Sequence, residues 1–195
     1  LKGLGDDLSK IKAPLGVYSV LGNHDYGEYT SWKSNEEKNR NFKNLLKAQK
    51  EFGWNLLLNE NDTISVDGNK IKVIGVENWA SSRFQQYGDL DKAYNGLNNE
   101  DFKILMTHNP SHWNAKVTDA YNDIDLTLSG HTHGLQYGID IGDFRVSPVR
   151  LAYKQWADLY KLNKQYIYVN RGFGFMGYPG RVGNLPEITI LELKK

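Results

Sequence analysis

Three times along this chain a short apolar run stops and hands over to a compact polar motif containing histidine. Val17-Tyr18-Ser19-Val20-Leu21 leads into Gly22-Asn23-His24-Asp25, Phe102-Lys103-Ile104-Leu105-Met106 into Thr107-His108-Asn109-Pro110, and Ile124 to Ser129 into Gly130-His131-Thr132-His133-Gly134. Each run is short and β-rich and reads as a buried strand. Four of the five histidines fall in these motifs. Imidazoles and a carboxamide delivered from separate strand ends can converge on one point while their backbones stay rigid, the arrangement that a metal ion requires.

Composition limits the alternatives. There is no cysteine, so disulfides, thiolate metal sites and a cysteine nucleophile are excluded and any metal must be held by nitrogen and oxygen. The formal net charge is +1 with no basic block, which gives no nucleic-acid signal. Within these 195 residues no apolar run approaches the roughly 20 residues of a bilayer span, and none reads as a signal peptide. A chain of 195 residues, 39% hydrophobic, is expected to form a single domain over 1–195 around one core. The chain opens at Leu1 in a stretch with helical spacing (Leu1, Leu4, Leu8, Ile11), so it is expected to begin inside a longer protein, where an upstream membrane anchor would be invisible.

Along the chain, an opening helix is expected to end near Lys12. Ser34 and Glu37 form a capping-box pattern ahead of a helix whose face carries Phe42, Leu45, Leu46 and Phe52 and which Gly53 ends. Leu56 to Leu58, Thr63 to Val66 and Ile71 to Val76 read as strands, the last two joined at Asp67-Gly68. Asp89 to Leu97 reads as a short helix, and Tyr166 to Val169 and Ile188 to Leu193 as late strands. The pattern implies a mixed α/β domain with layered sheets and ligand residues at carboxyl strand ends.

Within the motifs, Asn23 offers an oxygen to a metal and His24 can donate a proton if Asp25 orients it; a capped polar turn explains the same four residues. Two histidines one residue apart, flanked by glycine, can face opposite sides and address different ions, and a glycine-rich hairpin is the plainer alternative. His112, at an expected helix start, reads as structural. Arg171 and Arg181 lie on glycine-rich loops that suit bidentate phosphate recognition, and ordinary salt bridges account for them equally well. Trp113, Tyr153, Trp156, Tyr160, Phe173 and Phe175 could form an apolar rim for a substrate tail, and core packing is the better fit for most of them.

Taken in order, GNHD, a later strand-end histidine and GHTHG resemble the calcineurin-like metallophosphoesterases over nearly the whole chain. Ala13-Pro14-Leu15-Gly16-Val17-Tyr18 and Pro186-Glu187-Ile188-Thr189 are similar to a bacterial branch with membrane-associated members. The resemblance implies a four-layer α/β/β/α sandwich. Asn23, His108 and His131 would bind one divalent ion and His133 a second, with manganese, zinc or iron all suited to these donors. His24, backed by Asp25, would protonate the leaving oxygen of a phosphoester or pyrophosphate, either a soluble phosphorylated molecule or a lipid-linked one. The family's early Asp-x-His and Gly-Asp-x-x-Asp motifs do not precede GNHD, so the chain resembles the family without its first strands. Weak or no metal occupancy, little activity for this chain alone and an exposed sheet edge able to pair two copies are the corresponding expectations. The reading from a different class is a non-catalytic metal-binding or interaction domain on the same fold.

Overall fold

A computed structural model of the chain describes residues 3–80, 85–98, 100–141 and 144–194. By its internal contacts it divides into two compact units, Leu1–His108 and Asn109–Lys195.

The first unit opens with a short helix, α1 (Gly5–Leu8), that stops before the expected end near Lys12. The first apolar run forms only a two-residue strand, β1 (Tyr18–Ser19), paired in parallel with β2 (Asn55–Leu56). Between them lies α2 (Asn35–Glu51), capped by Ser34, whose side chain accepts from the Glu37 amide at 3.3 Å. Glu37 closes the turn from outside by accepting from the Lys33 amide at 3.0 Å, one residue earlier than a standard capping box. Gly53, at φ +77°, takes the left-handed conformation that lets the chain leave the helix. The Ser19 hydroxyl donates to Gln49 on α2 at 2.6 Å, tying helix to strand.

Strands β3 (Glu60–Val66) and β4 (Asn69–Gly75) form an antiparallel hairpin, with Asp67 and Gly68 both at positive φ as a type I′ turn demands. After α3 (Leu90–Tyr94), capped by Asp89, strand β5 (Phe102–Met106) pairs with β4 in parallel and delivers Thr107 and His108 at its end. Val73, Ile74, Val76 and Leu105 are buried around this pairing.

The second unit begins with a π-helical turn, Trp113–Val117, running into α4 (Thr118–Ala120). Strand β6 (Leu126–Ser129) carries the GHTHG motif at its end. A small hairpin of β7 (Ile139–Ile141) and β8 (Phe144–Val146) follows. Strands β9 (Asp158–Leu162) and β10 (Gln165–Val169) are antiparallel, and β10 lies parallel to β6. Ile167 and Val169 are buried, as are Trp113 and Trp156, so both tryptophans pack in the interior as expected. Phe173 and Phe175 are exposed and do not.

The last expected strand does not form. Residues 188–193 show no ladder pairing among the described residues, and Ile188 and Ile190 are 87% and 93% exposed. Alternating apolar residues make a strand only when a neighbouring backbone offers hydrogen bonds, and here the segment is held instead through polar contacts of Glu187 and Thr189.

Candidate functional site

The GNHD motif folds into a single 3₁₀ turn, Asn23–Tyr26, entered from extended Gly22 and left through Gly27 in the left-handed region. Asp25 reaches back to accept from the Gly22 amide at 2.7 Å, so it fixes the turn itself. The polar-turn reading of the motif accounts for this bond, because an exposed first amide of a turn is the nearest donor. Burial raises the Asp25 pKa, while the Gly22 hydrogen bond and the charge of neighbouring His24 pull it back down.

Asn23 and His108 are brought together. The His108 Nε2 lies 2.9 Å from Asn23 Oδ1 across 85 residues of sequence. Gly22 makes this approach feasible: a Cβ added there would stand 2.7 Å from the His108 ring, so only glycine lets the imidazole lie against the turn. The Asn23 amide donates from Nδ2 to the Tyr29 hydroxyl at 2.9 Å, which leaves Oδ1 directed at His108. Tyr29 also stacks on the His24 ring, with centroids 4.4 Å apart and planes inclined by 25°. His24 is exposed and its imidazole makes no side-chain hydrogen bond among the described residues. Tyr29 thus contacts both Asn23 and His24, and no signal in the sequence singled it out.

Beneath the turn lies a tight polar network. Tyr26 donates its hydroxyl to Glu77 at 3.1 Å and stacks face to face on Tyr87 at 3.9 Å. Asn59 donates to the other Glu77 oxygen at 2.8 Å and to the Tyr87 carbonyl at 3.0 Å. Burial and the neighbouring Glu77 push the Tyr26 phenol well above its ordinary pKa, so the network holds its proton on the phenol. A cavity of about 330 Å³ opens between these groups and the turn.

In the second unit the GHTHG loop is built differently. His131, His133, Gly134, Leu135 and Gln136 all sit at positive φ between +51° and +72°. His131 Nε2 lies 2.8 Å from the Tyr153 hydroxyl. The loop is clamped by buried partners: Thr132 donates to the Trp156 carbonyl at 2.7 Å, and Ser147 and Asn184 donate to the Gly134 carbonyl at 2.7 and 2.6 Å. Tyr153 is one of the aromatic residues for which the sequence weighed core packing against a substrate rim.

Arg171 and Arg181 are engaged inside the chain. Arg171 pairs with Glu187 at 2.6 Å and with Asp140, while Arg181 donates to the Gly174, Arg171 and His133 carbonyls. For Arg171 this is the salt-bridge reading, and in both arginines the donors these bonds use are turned to protein oxygens and not to a ligand. Burial alone would raise Glu187, but hydrogen bonds from Tyr168, Thr189 and Arg171 outweigh it and hold the carboxyl below its ordinary range. His112 is fully buried, and burial with a smaller contribution from Lys116 lowers its pKa to about 3. It is a neutral structural histidine, as its place at a helix start suggested.

The donor chemistry bears on metal binding. Two ligand atoms held at about 2.1 Å from one ion at right angles stand about 3 Å apart, so the 2.9 Å between Asn23 Oδ1 and His108 Nε2 suits adjacent ligands of a shared ion. Among the described residues no three His, Asp or Glu side chains are gathered to hold a metal.

Comparison with known proteins agrees with the geometry. The chain is 32% identical over 189 residues to the uncharacterised metallophosphoesterase YkuE of Bacillus subtilis, covering 96% of this chain and 59% of that protein. It is 31% identical over 194 residues to a transmembrane protein with metallophosphoesterase domain from Bos taurus, covering 96% of this chain and 40% of the relative. The chain therefore spans roughly half the length of these curated relatives, and they are animal as well as bacterial, wider than the branch that the sequence resembled. Among solved structures, Haemophilus influenzae NAD nucleotidase superposes on 80% of this chain and 33% of its own, with a TM-score of 0.46 and 21% identity. No helix among the described residues is long and apolar enough to cross a membrane. The calcineurin-like phosphoesterase profile matches residues 4–135, about two thirds of the sequence and all three histidine motifs, and the chain belongs to that family of metal-dependent phosphoester hydrolases.

Proposed function

We propose that the GNHD turn and His108 form the working face of a phosphoester or pyrophosphate hydrolase in the full-length protein. The observation that carries this reading is the Asn23–His108 contact at 2.9 Å, with His24 presented outward from the same turn. Asn23 and His108 would hold a divalent ion, which supplies Lewis acidity and offsets charge on the phosphoryl oxygens when bound. His24 then donates the proton to the leaving oxygen, its ring set by the Tyr29 stack. The Gly22 amide is already taken by Asp25, so the turn keeps its shape through the proton transfer. His131 and His133 are proposed as further metal ligands on the strength of the family motif.

The test is a pair of substitutions in the full-length protein. His24→Ala should lower turnover of an aryl phosphodiester by about 10²- to 10⁴-fold with near-normal metal content, the range typical of a general acid. His108→Ala should lower metal content as well. Full activity of His24→Ala on a substrate with a poor leaving group would remove the assignment. The contact of Asn23 with His108, a pair of neutral donors, equally suits a second reading, a metal-binding or interaction domain without catalysis. Metal uptake by the full-length protein with no hydrolysis of any phosphoester would select it.

A further inference from the structure

The cavity beside the GNHD turn has a feature that neither packing nor the proposed hydrolysis uses. Asn78, which lines it, is only 3% exposed. Its backbone is fully engaged: the amide donates to the Tyr26 hydroxyl at 3.3 Å and the carbonyl accepts from Tyr87 and Gly88 at 3.1 and 3.0 Å. The side-chain carboxamide has no hydrogen-bond partner among the described residues. A carboxamide nine-tenths buried that opens onto a cavity keeps its donor and acceptor for whatever fills that cavity.

The rest of the wall narrows the ligand class. Tyr26 and Tyr87 are locked parallel to each other within 3° and so form a rigid aromatic side. Tyr29 stands at the mouth, 52% exposed, beside Asn23 and His24. Glu28 lines the same space, with one oxygen shared between Lys38 at 2.7 Å and the Tyr87 hydroxyl at 3.3 Å, which leaves acceptor capacity for an amino group. Aromatic walls favour flat rings, and a carboxamide presents a donor and an acceptor side by side, the complement of a ring edge that carries an acceptor next to an amino group. A volume of about 330 Å³ is enough for a base with its sugar and too small for a long acyl chain.

We infer that this cavity receives the leaving group of the substrate, a planar heteroaromatic ring of the nucleobase type whose donor–acceptor edge is read by the Asn78 carboxamide, with Tyr29 closing over it. The assignment to the leaving group rests on the proposed role of His24, because Asn23, Tyr29 and the cavity are contiguous with the proton donor. Binding of the ring itself does not depend on hydrolysis.

The experiment separates the two. Adenosine, which has no phosphate to hydrolyse, is titrated into the full-length protein while amide and aromatic NMR signals are followed, and the unfolding midpoint is measured without ligand. Adenosine should shift signals of Tyr29, Asn78 and Tyr87, ribose should not, and Asn78→Leu should weaken adenosine binding at least tenfold. The same substitution should leave the unfolding midpoint equal or higher, since the carboxamide it removes makes no bond within the described fold, whereas a purely structural Asn78 would show a lower midpoint. If Asn78→Leu does not fold, Tyr29→Leu at the exposed mouth replaces it, with weakened adenosine binding again expected. Failure of adenosine, guanosine, cytidine and uridine alike to bind, or equal binding to wild type and variant, overturns the inference. Nucleoside binding with no phosphoester hydrolysis sustains the cavity and overturns the catalytic reading; hydrolysis of an aryl diester without nucleoside binding does the reverse.

Discussion

The two histidine motifs at Gly22–Asp25 and Gly130–Gly134 solve the same problem by opposite means. The first is a local turn. Its hydrogen bonds run between neighbours, from the Gly22 amide to Asp25 and from the Gly27 amide to the His24 carbonyl at 3.3 Å, and its backbone stays in ordinary conformations until Gly27. The second is held from a distance. Four non-glycine residues between His131 and Gln136 sit at positive φ, and side chains as far along the chain as Ser147 and Asn184 hold the Gly134 carbonyl in place. Left-handed conformations of this kind each cost about 1 kcal/mol or more and persist only where surrounding contacts over-determine them. The difference is between a turn that presents side chains because it is easy to make and a loop whose side-chain directions depend on the rest of its unit.

The largest stability effect should come from breaking the distant clamps. At Gly134 an added Cβ would fall 1.8 Å from the buried Asn184 amide, on a backbone already at φ +53°. Gly134→Ala should lower stability by about 3 kcal/mol, combining overpacking with left-handed strain, as read from denaturant midpoints. At Gly22 the obstruction is the His108 ring and the backbone is unstrained. Gly22→Ala should therefore cost less, about 1 to 2 kcal/mol, while displacing His108 and weakening metal binding. Equal stability losses at the two glycines would erase the contrast.

Acid should act on the two regions with opposite sign. His112 has a folded pKa of about 3, far below the unfolded value near 6.5, so the unfolded chain binds a proton first. Its contribution to stability is complete above about pH 6.5 and is lost as pH falls toward 3, with a slope of at most about 1.4 kcal/mol per pH unit. The carboxyl of Glu187, held low by its partners, adds a further loss only once pH drops below the ordinary carboxylate range. Asp25 in the first turn is held high by burial, so its protonation on mild acidification relieves a cost of folding. His112→Gln should flatten the stability profile between pH 6.5 and 4.5, and a profile unchanged by that substitution would show that another group governs acid sensitivity.

The smallest expected effect tests the support of the local turn. Tyr29→Phe keeps the stack on His24 and removes the oxygen that receives the Asn23 amide. A loss of about 0.5 to 1.5 kcal/mol in metal affinity, with folding stability almost unchanged, is expected for one partly exposed hydrogen bond. An unchanged affinity would mean that His108 alone orients Asn23.

Much of this arrangement was legible in the residues. Ser34 as cap, Gly53 as helix end, Asp67-Gly68 as hairpin turn and the handover from β5 to His108 and from β6 to GHTHG all depend on interactions within a few residues, where side-chain chemistry and backbone preference act directly. The mixed α/β character and family membership follow from the order of those local signals. Tertiary structure decided the rest, because it depends on partners that lie far away in sequence. Whether Ile188 to Leu193 becomes a strand requires a neighbouring backbone, whether Arg171 meets a phosphate or Glu187 and Asp140 requires knowing what folds beside it, and whether Asp25 serves His24 or the Gly22 amide is settled by which donor the turn brings closest. The contact between Asn23 and His108, and the unmatched Asn78 carboxamide in its cavity, arise in the same way: the sequence supplied the donor atoms, and only the path of the folded backbone set the distances between them.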